Sequence, residues 1–373
     1  MSKRILILTN LDIGLYNFRG EVLQALLDAG YELHISLPMG EMIPKLTEMG
    51  CIFHETDLDR RGTNPLDEFK LIKSYGKLID EVKPDIGLTY TIKPNVYGGM
   101  AFGKRNIPFI TNITGLGTAV EGNGPLQVFT QALYRIAMKK VSCLFFQNKY
   151  NERYFRTRRI GVGKHSLLPG SGVNLDKFSY LEYPDENASV SFLFISRVMK
   201  EKGIEQFLGM AKVIHAEFPN TEFHILGFCE DDENQPNSYR NQIRKLEEKG
   251  IVIFEGMQED VRPFIANSQC TIHPSFYPEG MSNVCLESAA SGRPVITTAR
   301  PGCGDTVEDG ITGLIVKEED TSDLIEKVRY FLDMTYSERK EMGKKAHEKM
   351  VREFGRKIVV SKYLHMIRKF ENS

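Results

Sequence analysis

The sequence predicts an α/β protein built as two successive halves, each on its own parallel sheet. Three observations predict it. Short β-branched apolar runs alternate with longer stretches that repeat apolar residues every three or four positions, the mark of successive βαβ units. The alternation breaks once, over 168–189, where LPGSGVNLDKF leads into the polar and aperiodic SYLEYPDENAS, and then resumes. A chain of 373 residues also exceeds what one core comfortably serves.

Taken in order, the first strand is Ile5 to Thr9, followed by a loop carrying Gly14 and a helix from about Phe18 to Ala29 that stops at Gly30. Further strands are expected at Glu32–Leu37, Ile52–Phe53, Ile86–Tyr90, Phe109–Thr111 and Leu144–Gln147, with helices over Asp67–Val82 and Leu126–Lys140. The second series opens with Val190–Ser196 and continues through Glu222–Gly227, Ile251–Glu255, Cys270–His273 and Val295–Thr298. This gives domains at 1–178 and 179–356, with a last helix, 357–373, free to pack back on the first half.

Composition narrows the function classes. With 41% hydrophobic and 26% charged residues the chain reads as globular, and no apolar run approaches the ~18 residues of a membrane span. The opening MSKRILILTN is too short in its apolar part for a signal peptide, so a cytoplasmic protein is expected. Six cysteines and eight histidines are scattered without metal-ligand spacing, so no metal site is expected and the thiols should be reduced. Asp57-Leu58-Asp59 forms an isolated D-x-D in the wrong setting for a metal. Residues 1–178 carry net +6 and the remainder net −7. Between Arg135 and Arg159 basic residues interleave with Tyr150, Tyr154 and Phe155, a pattern suited to an anionic membrane surface; no nucleic-acid-binding module accompanies it.

Two stretches carry chemistry. In CTIHPSFYPEGMSNVCLESAASGRPVIT (270–298) a strand ends at His273, and a helix is expected from about Ser282 to Gly292. Glu279 then precedes a helix N-terminus, and Glu287 lies almost two turns into the helix. Backbone N–H groups of Gly280, Met281 and Ser282 would make an anion site there, leaving the two carboxylates for sugar hydroxyls. His273 reads as a hydrogen-bonded packing residue. The second stretch is Ser196-Arg197-Val198-Met199-Lys200-Glu201-Lys202-Gly203, directly after a strand, where open α/β sheets bind ligands. Arg197 can fork onto phosphate oxygens and Lys202 can add a point charge, which would stabilise a leaving diphosphate. Gly14 offers a backbone approach for a donor, but no GxGxxG follows the first strand, so a nicotinamide cofactor is disfavoured.

These two elements, S-R-x-x-x-E-K-G and E-G-M-S-N-x-x-L-E, resemble those of the retaining glycosyltransferases of family four, which have the GT-B fold of two Rossmann-like domains with parallel sheets facing across a cleft. The resemblance implies that Glu279 faces the donor sugar, that Glu287 binds the nucleotide ribose, and that Arg197 and Lys202 hold the diphosphate. It implies a donor site that includes Gly256, Met257 and Gln258 as a base-binding turn, with Gly280, Met281, Ser282 and Asn283. Gly172-Val173-Asn174 and Pro301–Val316 match as well. In the first half, Leu15–Arg19, Arg60–Pro65, Tyr90–Asn95 and Asn112–Gly117 are similar to bacterial enzymes that build surface polysaccharides on a polyprenyl-diphosphate carrier, with Arg19, Lys93 and Thr114 as candidate acceptor contacts. Where many family members place a histidine after the Phe109 strand, this chain has Thr114-Gly115-Leu116-Gly117, so no catalytic base is assigned. The expected activity is transfer of a sugar from a UDP-linked donor, a co-substrate and not a cofactor, to a saccharide or lipid-linked saccharide, with peripheral contact to the inner leaflet. Alternatives are a UDP-sugar epimerase of the same fold and a non-catalytic sugar-nucleotide-binding subunit.

Overall fold

A computed structural model describes residues 2–58, 64–116, 120–121, 124–229, 231–232 and 235–371. The second aspartate of the D-x-D, the 60–63 part of the acceptor-type stretch, and Gly117 lie outside the described residues.

Unit 1 comprises Met1–Gly172 together with Arg356–Ser373. Its seven strands are β1 (Arg4–Leu8), β2 (Glu32–Leu37), β3 (Ile52–Glu55), β4 (Ile86–Tyr90), β5 (Phe109–Ile113), β6 (Cys143–Phe146) and β7 (His165–Leu167). They lie in the order β3-β2-β1-β4-β5-β6-β7, all parallel. Ile5, Leu6, Ile7 and Leu8 are wholly buried, as a parallel strand covered on both faces requires. The terminal helix Arg356–Glu371 buries Val359, Tyr363 and Ile367 at four-residue spacing, into the same core as Ile5, Ile7, Leu23 and Leu26. Arg356 fastens its start by donating to the carbonyls of Gly172, at 3.0 Å, and Asn17, at 2.9 Å.

Unit 2 is Val173–Gly355. Its strands are β8 (Val190–Ile195), β9 (Thr221–Leu226), β10 (Ile253–Gly256), β11 (Cys270–His273), β12 (Val295–Thr298) and β13 (Gly313–Val316). They run parallel in the order β10-β9-β8-β11-β12-β13. The order reverses between β8 and β11. At such a switch point the chain leaves adjacent strands toward opposite sides of the sheet, which opens a crevice at their C-terminal ends. The loops holding Arg197 and Glu279 both begin there.

Three details differ from the sequence-based expectation. The first helix is Asp12–Asp28, starting well before Phe18, so Gly14 lies within its first turn and not in a loop. Asp12 opens the helix, and its buried carboxylate accepts the Met42 N–H at 2.7 Å, tying the first turn to the segment after β2. β7 and β13 also escaped the pattern, being three and four residues long. The passage between the units falls at Gly172/Val173, inside the stretch read as the end of the first domain.

Gly172 has φ +69, and a Cβ there would stand 2.6 Å from the Arg356 Cα. Gly163, also in unit 1, has φ +81 but open space around it. Urea denaturation should therefore separate them: Gly163→Ala loses about 1 kcal/mol for its backbone alone, and Gly172→Ala loses at least ~2 kcal/mol more as the helix start is pushed away. Equal losses would show that the terminal helix does not press on this turn.

Candidate active site

The site is assembled from two loops of unit 2. After β8 the chain is held against the end of β9: Ser196 donates to the Leu226 carbonyl at 3.0 Å and Val198 to that of Phe228 at 2.8 Å. This approach is close enough that a Cβ on Gly227 would meet the Ser196 carbonyl oxygen at 1.7 Å. The loop then makes a 3-10 turn over Lys200–Lys202 and leaves through Gly203, whose φ is +79. A Cβ on Gly203 would lie 2.3 Å from the Pro274 carbonyl oxygen. Glycine is thus what lets the loop after β8 touch the loop after β11. The Phe276 N–H completes the seam by donating to the Glu201 carbonyl at 2.9 Å.

Across this seam Lys202 Nζ forms a salt bridge with Glu279 Oε1, both side chains being only 12–14% exposed. The Ser275 hydroxyl donates to the same carboxylate oxygen at 3.4 Å, and His273 Nε2 stands 3.8 Å from it. Tyr277 gathers the two cations expected to hold a diphosphate. Arg197 Cζ lies 5.6 Å and Lys202 Nζ 4.9 Å from its ring centroid, both within cation–π range. Burial by itself would raise the Glu279 pKa, but the Lys202 charge and the neighbouring His273 outweigh it and hold the carboxyl at about 2. Glu279 is a carboxylate at neutral pH and accepts hydrogen bonds only.

The helix after the loop is Asn283–Ala290, capped by the Ser282 side chain, which accepts the Cys285 N–H at 3.4 Å. Here the expected anion site needs correction. The Ser282 N–H donates to the Gly302 carbonyl at 2.8 Å and is not open to a ligand. The first-turn N–H groups are those of Asn283 and Val284, one step further along than the sequence suggested. Gly280 and Met281 are buried beside them, and Glu287 is half-buried further down the helix. Gly256 closes β10 with φ +70, and its carbonyl accepts the Gly227 N–H at 2.8 Å. Met257 next to it is 74% exposed, while Gln258 donates to the Glu255 carbonyl at 2.5 Å, so this turn presents backbone and an apolar side chain.

Three residues of unit 1 were expected to meet an acceptor. Arg19 is 3% exposed, donates to the Phe18 carbonyl at 2.8 Å, and has Cζ 5.4 Å from the Tyr90 ring centroid. As placed, it supports the end of β4 from inside. Lys93 pairs with Glu68 at 2.6 Å, and both are mostly buried. Thr114 is half-buried immediately after β5.

The fold also brings together residues that the sequence kept apart. His273, Glu279 and Cys303 come from the end of β11, from the loop that follows it, and from the turn after β12. Their ligand-capable atoms all lie within 4.8 Å of one another. The scattered spacing of histidines and cysteines had suggested no such group. His273 is 1% exposed, as a packing residue should be, yet neither of its ring nitrogens has a hydrogen-bond partner among the described residues.

Two Rossmann-like parallel sheets, the second carrying cationic and carboxylate groups at its switch point, define a GT-B glycosyltransferase. Comparison with known proteins agrees. Residues 182–349 match the family model described as "Glycosyl transferases group 1", and residues 4–148 match "Glycosyl transferase 4-like". The chain belongs to the family-four glycosyltransferases of GT-B fold. It is 23% identical over 346 residues to the N,N'-diacetylbacillosaminyl-diphospho-undecaprenol alpha-1,3-N-acetylgalactosaminyltransferase of Campylobacter jejuni, covering 88% of this chain and 89% of that protein. It is 25% identical to the capsular polysaccharide biosynthesis glycosyltransferase CapM of Staphylococcus aureus, over 51% of this chain and 50% of that one. Among solved structures, a glycosyltransferase from Rickettsia africae superposes with TM-score 0.81 at 20% identity, covering 99% of this chain and 98% of that one. Anabaena Alr3699/HepE in complex with UDP and glucose gives 0.77 at 14%, covering 98% and 100%.

The depressed pKa of Glu279 makes a signed prediction. A carboxyl lowered from the ordinary 4.5 to about 2 contributes stability that is complete above pH 4.5 and is lost as the pH falls to 2. Urea midpoints of the wild type should therefore drop over that window relative to those of Glu279→Gln. Parallel pH curves for the two proteins would remove the Lys202–Glu279 pairing.

Proposed function

We propose that the chain is a retaining, metal-independent glycosyltransferase that moves a sugar from a UDP-linked donor to a polyprenyl-diphosphate-linked glycan in surface-polysaccharide assembly. The observation that carries the donor side is the convergence of Arg197 and Lys202 on Tyr277, with Glu279 beside them. Breaking the bond between the anomeric carbon and the diphosphate puts negative charge on the departing oxygen. Arg197 offers it a two-pronged guanidinium and Lys202 a point charge, so two fixed cations do the work a metal ion does elsewhere. The N–H groups of Asn283 and Val284 add the positive end of a helix. Glu279, being acceptor-only, takes hydrogen bonds from hydroxyls of the donor sugar, Glu287 takes them from the ribose, and Gly256–Gln258 borders the base. The acceptor hydroxyl attacks from the face the diphosphate leaves, and its proton passes to the departing phosphate oxygen. That route needs no histidine after β5.

The acceptor reading draws on the carrier named for the Campylobacter jejuni relative and on a surface of unit 1. No helix among the described residues is long and apolar enough to cross a membrane. Helix Pro125–Ala137, however, exposes Leu126, Val128, Phe129 and Ile136 beside the exposed cations Arg135, Lys139 and Lys140. Its Gln127 and Gln131 donate to the Tyr154 hydroxyl on helix Lys149–Thr157, which adds exposed Lys149, Arg153 and Arg156. Apolar groups ringed by cations suit an anionic lipid surface, where each cation contributes ~1 kcal/mol.

With UDP-sugars and a short-chain polyprenyl-diphosphate saccharide, the purified chain should form a product whose NMR spectrum shows the donor's anomeric configuration. Arg197→Ala with Lys202→Ala should lower kcat by at least ~100-fold. Full activity in that double variant, or an inverted product, would contradict the mechanism. Flotation with phosphatidylglycerol vesicles should recover the protein at low salt and fail with Phe129→Ser plus Lys139→Glu, whereas equal recovery on neutral vesicles would remove the electrostatic part.

A further inference from the structure

We propose that His273, Glu279 and Cys303 form a binding site for a thiophilic divalent cation of the zinc class, whose occupation closes the donor site by taking Glu279 away from Lys202. Nitrogen, oxygen and sulfur atoms within 4.8 Å of one another need only a small inward shift to reach a common ion at ~2.0–2.3 Å. The second, independent observation is His273 itself. A fully enclosed imidazole with no hydrogen-bond partner at either nitrogen is costly, and a metal bond at one nitrogen would offset that cost. Cys285, in the first turn of helix Asn283–Ala290, is a second buried free thiol near the group.

The donor set decides which metal. One imidazole, one carboxylate and thiol sulfur are borderline-soft ligands that favour zinc over magnesium, which prefers oxygen in octahedral array. As the metal–sulfur bond forms, the Cys303 thiol proton is released to water, and nothing is oxidised or reduced. Lys202 now occupies the Glu279 carboxylate oxygen that the ion needs. A dication at that point repels the ammonium, so ion and Lys202 exclude each other. Metal binding rests on the geometry of the three ligands; its inhibitory effect also rests on the donor-site reading above.

Cobalt(II) separates the two, because a thiolate–cobalt bond absorbs in the near ultraviolet whether or not the protein turns over substrate. The full chain, kept reduced with a non-thiol reductant, should take up one equivalent of Co²⁺ with that band, and Zn²⁺ but not Mg²⁺ should displace it. Cys303→Ser should abolish the band, His273→Asn should weaken binding at least about tenfold, and Cys229→Ser should leave both unchanged. Circular dichroism melting of each variant confirms that it is folded, and the two ligand variants stand in for each other if one is not. No band in the wild type, or a band that survives in folded Cys303→Ser, overturns the site. A band present while Zn²⁺ leaves transferase rate untouched keeps the site and overturns the closure.

Discussion

The salt bridge between Lys202 and Glu279 joins two loops that the chain reaches 77 residues apart, and the proposed donor site depends on it. It forms because β8 and β11 are neighbours at the place where the strand order reverses, so both loops leave the sheet at one crevice. Gly203 against Pro274 and the Glu201–Phe276 hydrogen bond bring the loops into contact, and the pair closes over that contact. Both charges are largely enclosed. Removing either partner would strand the other, at a cost of about 3–5 kcal/mol. In the proposed function the same enclosure makes the pair useful, since charges in a low-dielectric site would act on a bound diphosphate far more strongly than they would in water.

In the proposed function the pair also gives the resting site an internal stand-in for its ligand. Before donor arrives, Glu279 satisfies Lys202, and Tyr277 lies under both Lys202 and Arg197. In the functional reading a diphosphate takes over the cations and the carboxylate turns to sugar hydroxyls. A metal ion at His273 and Cys303 would break the same pair from the other side. One carboxylate thus has three candidate partners, and which it holds sets the state of the site.

Much of this was legible in the sequence, for reasons that can be named. Arg197, Lys202 and Glu279 stand in the loops that follow predicted strands, and buried parallel strands announce themselves as apolar runs. The switch point itself was not visible, because strand order is a property of pairing and not of local pattern. Gly14 was misplaced because the helix begins at Asp12 with no side-chain cap to mark its start in the sequence, and the Met42 contact that ties the buried Asp12 carboxylate lies 30 residues on. Ser282 was counted as an open donor, whereas its N–H turns to Gly302, a partner 20 residues on. His273 and Cys303 gave no sign of meeting Glu279, since three elements contribute one residue each.

The central claim is that the two cations at the β8–β11 crevice hold the nucleotide's diphosphate. A crystal structure of the chain with UDP tests it most directly. The account predicts diphosphate oxygens within hydrogen-bonding distance of both Arg197 and Lys202, with Lys202 drawn off Glu279. Diphosphate bound away from these two side chains, or the salt bridge intact beneath a bound nucleotide, would contradict it.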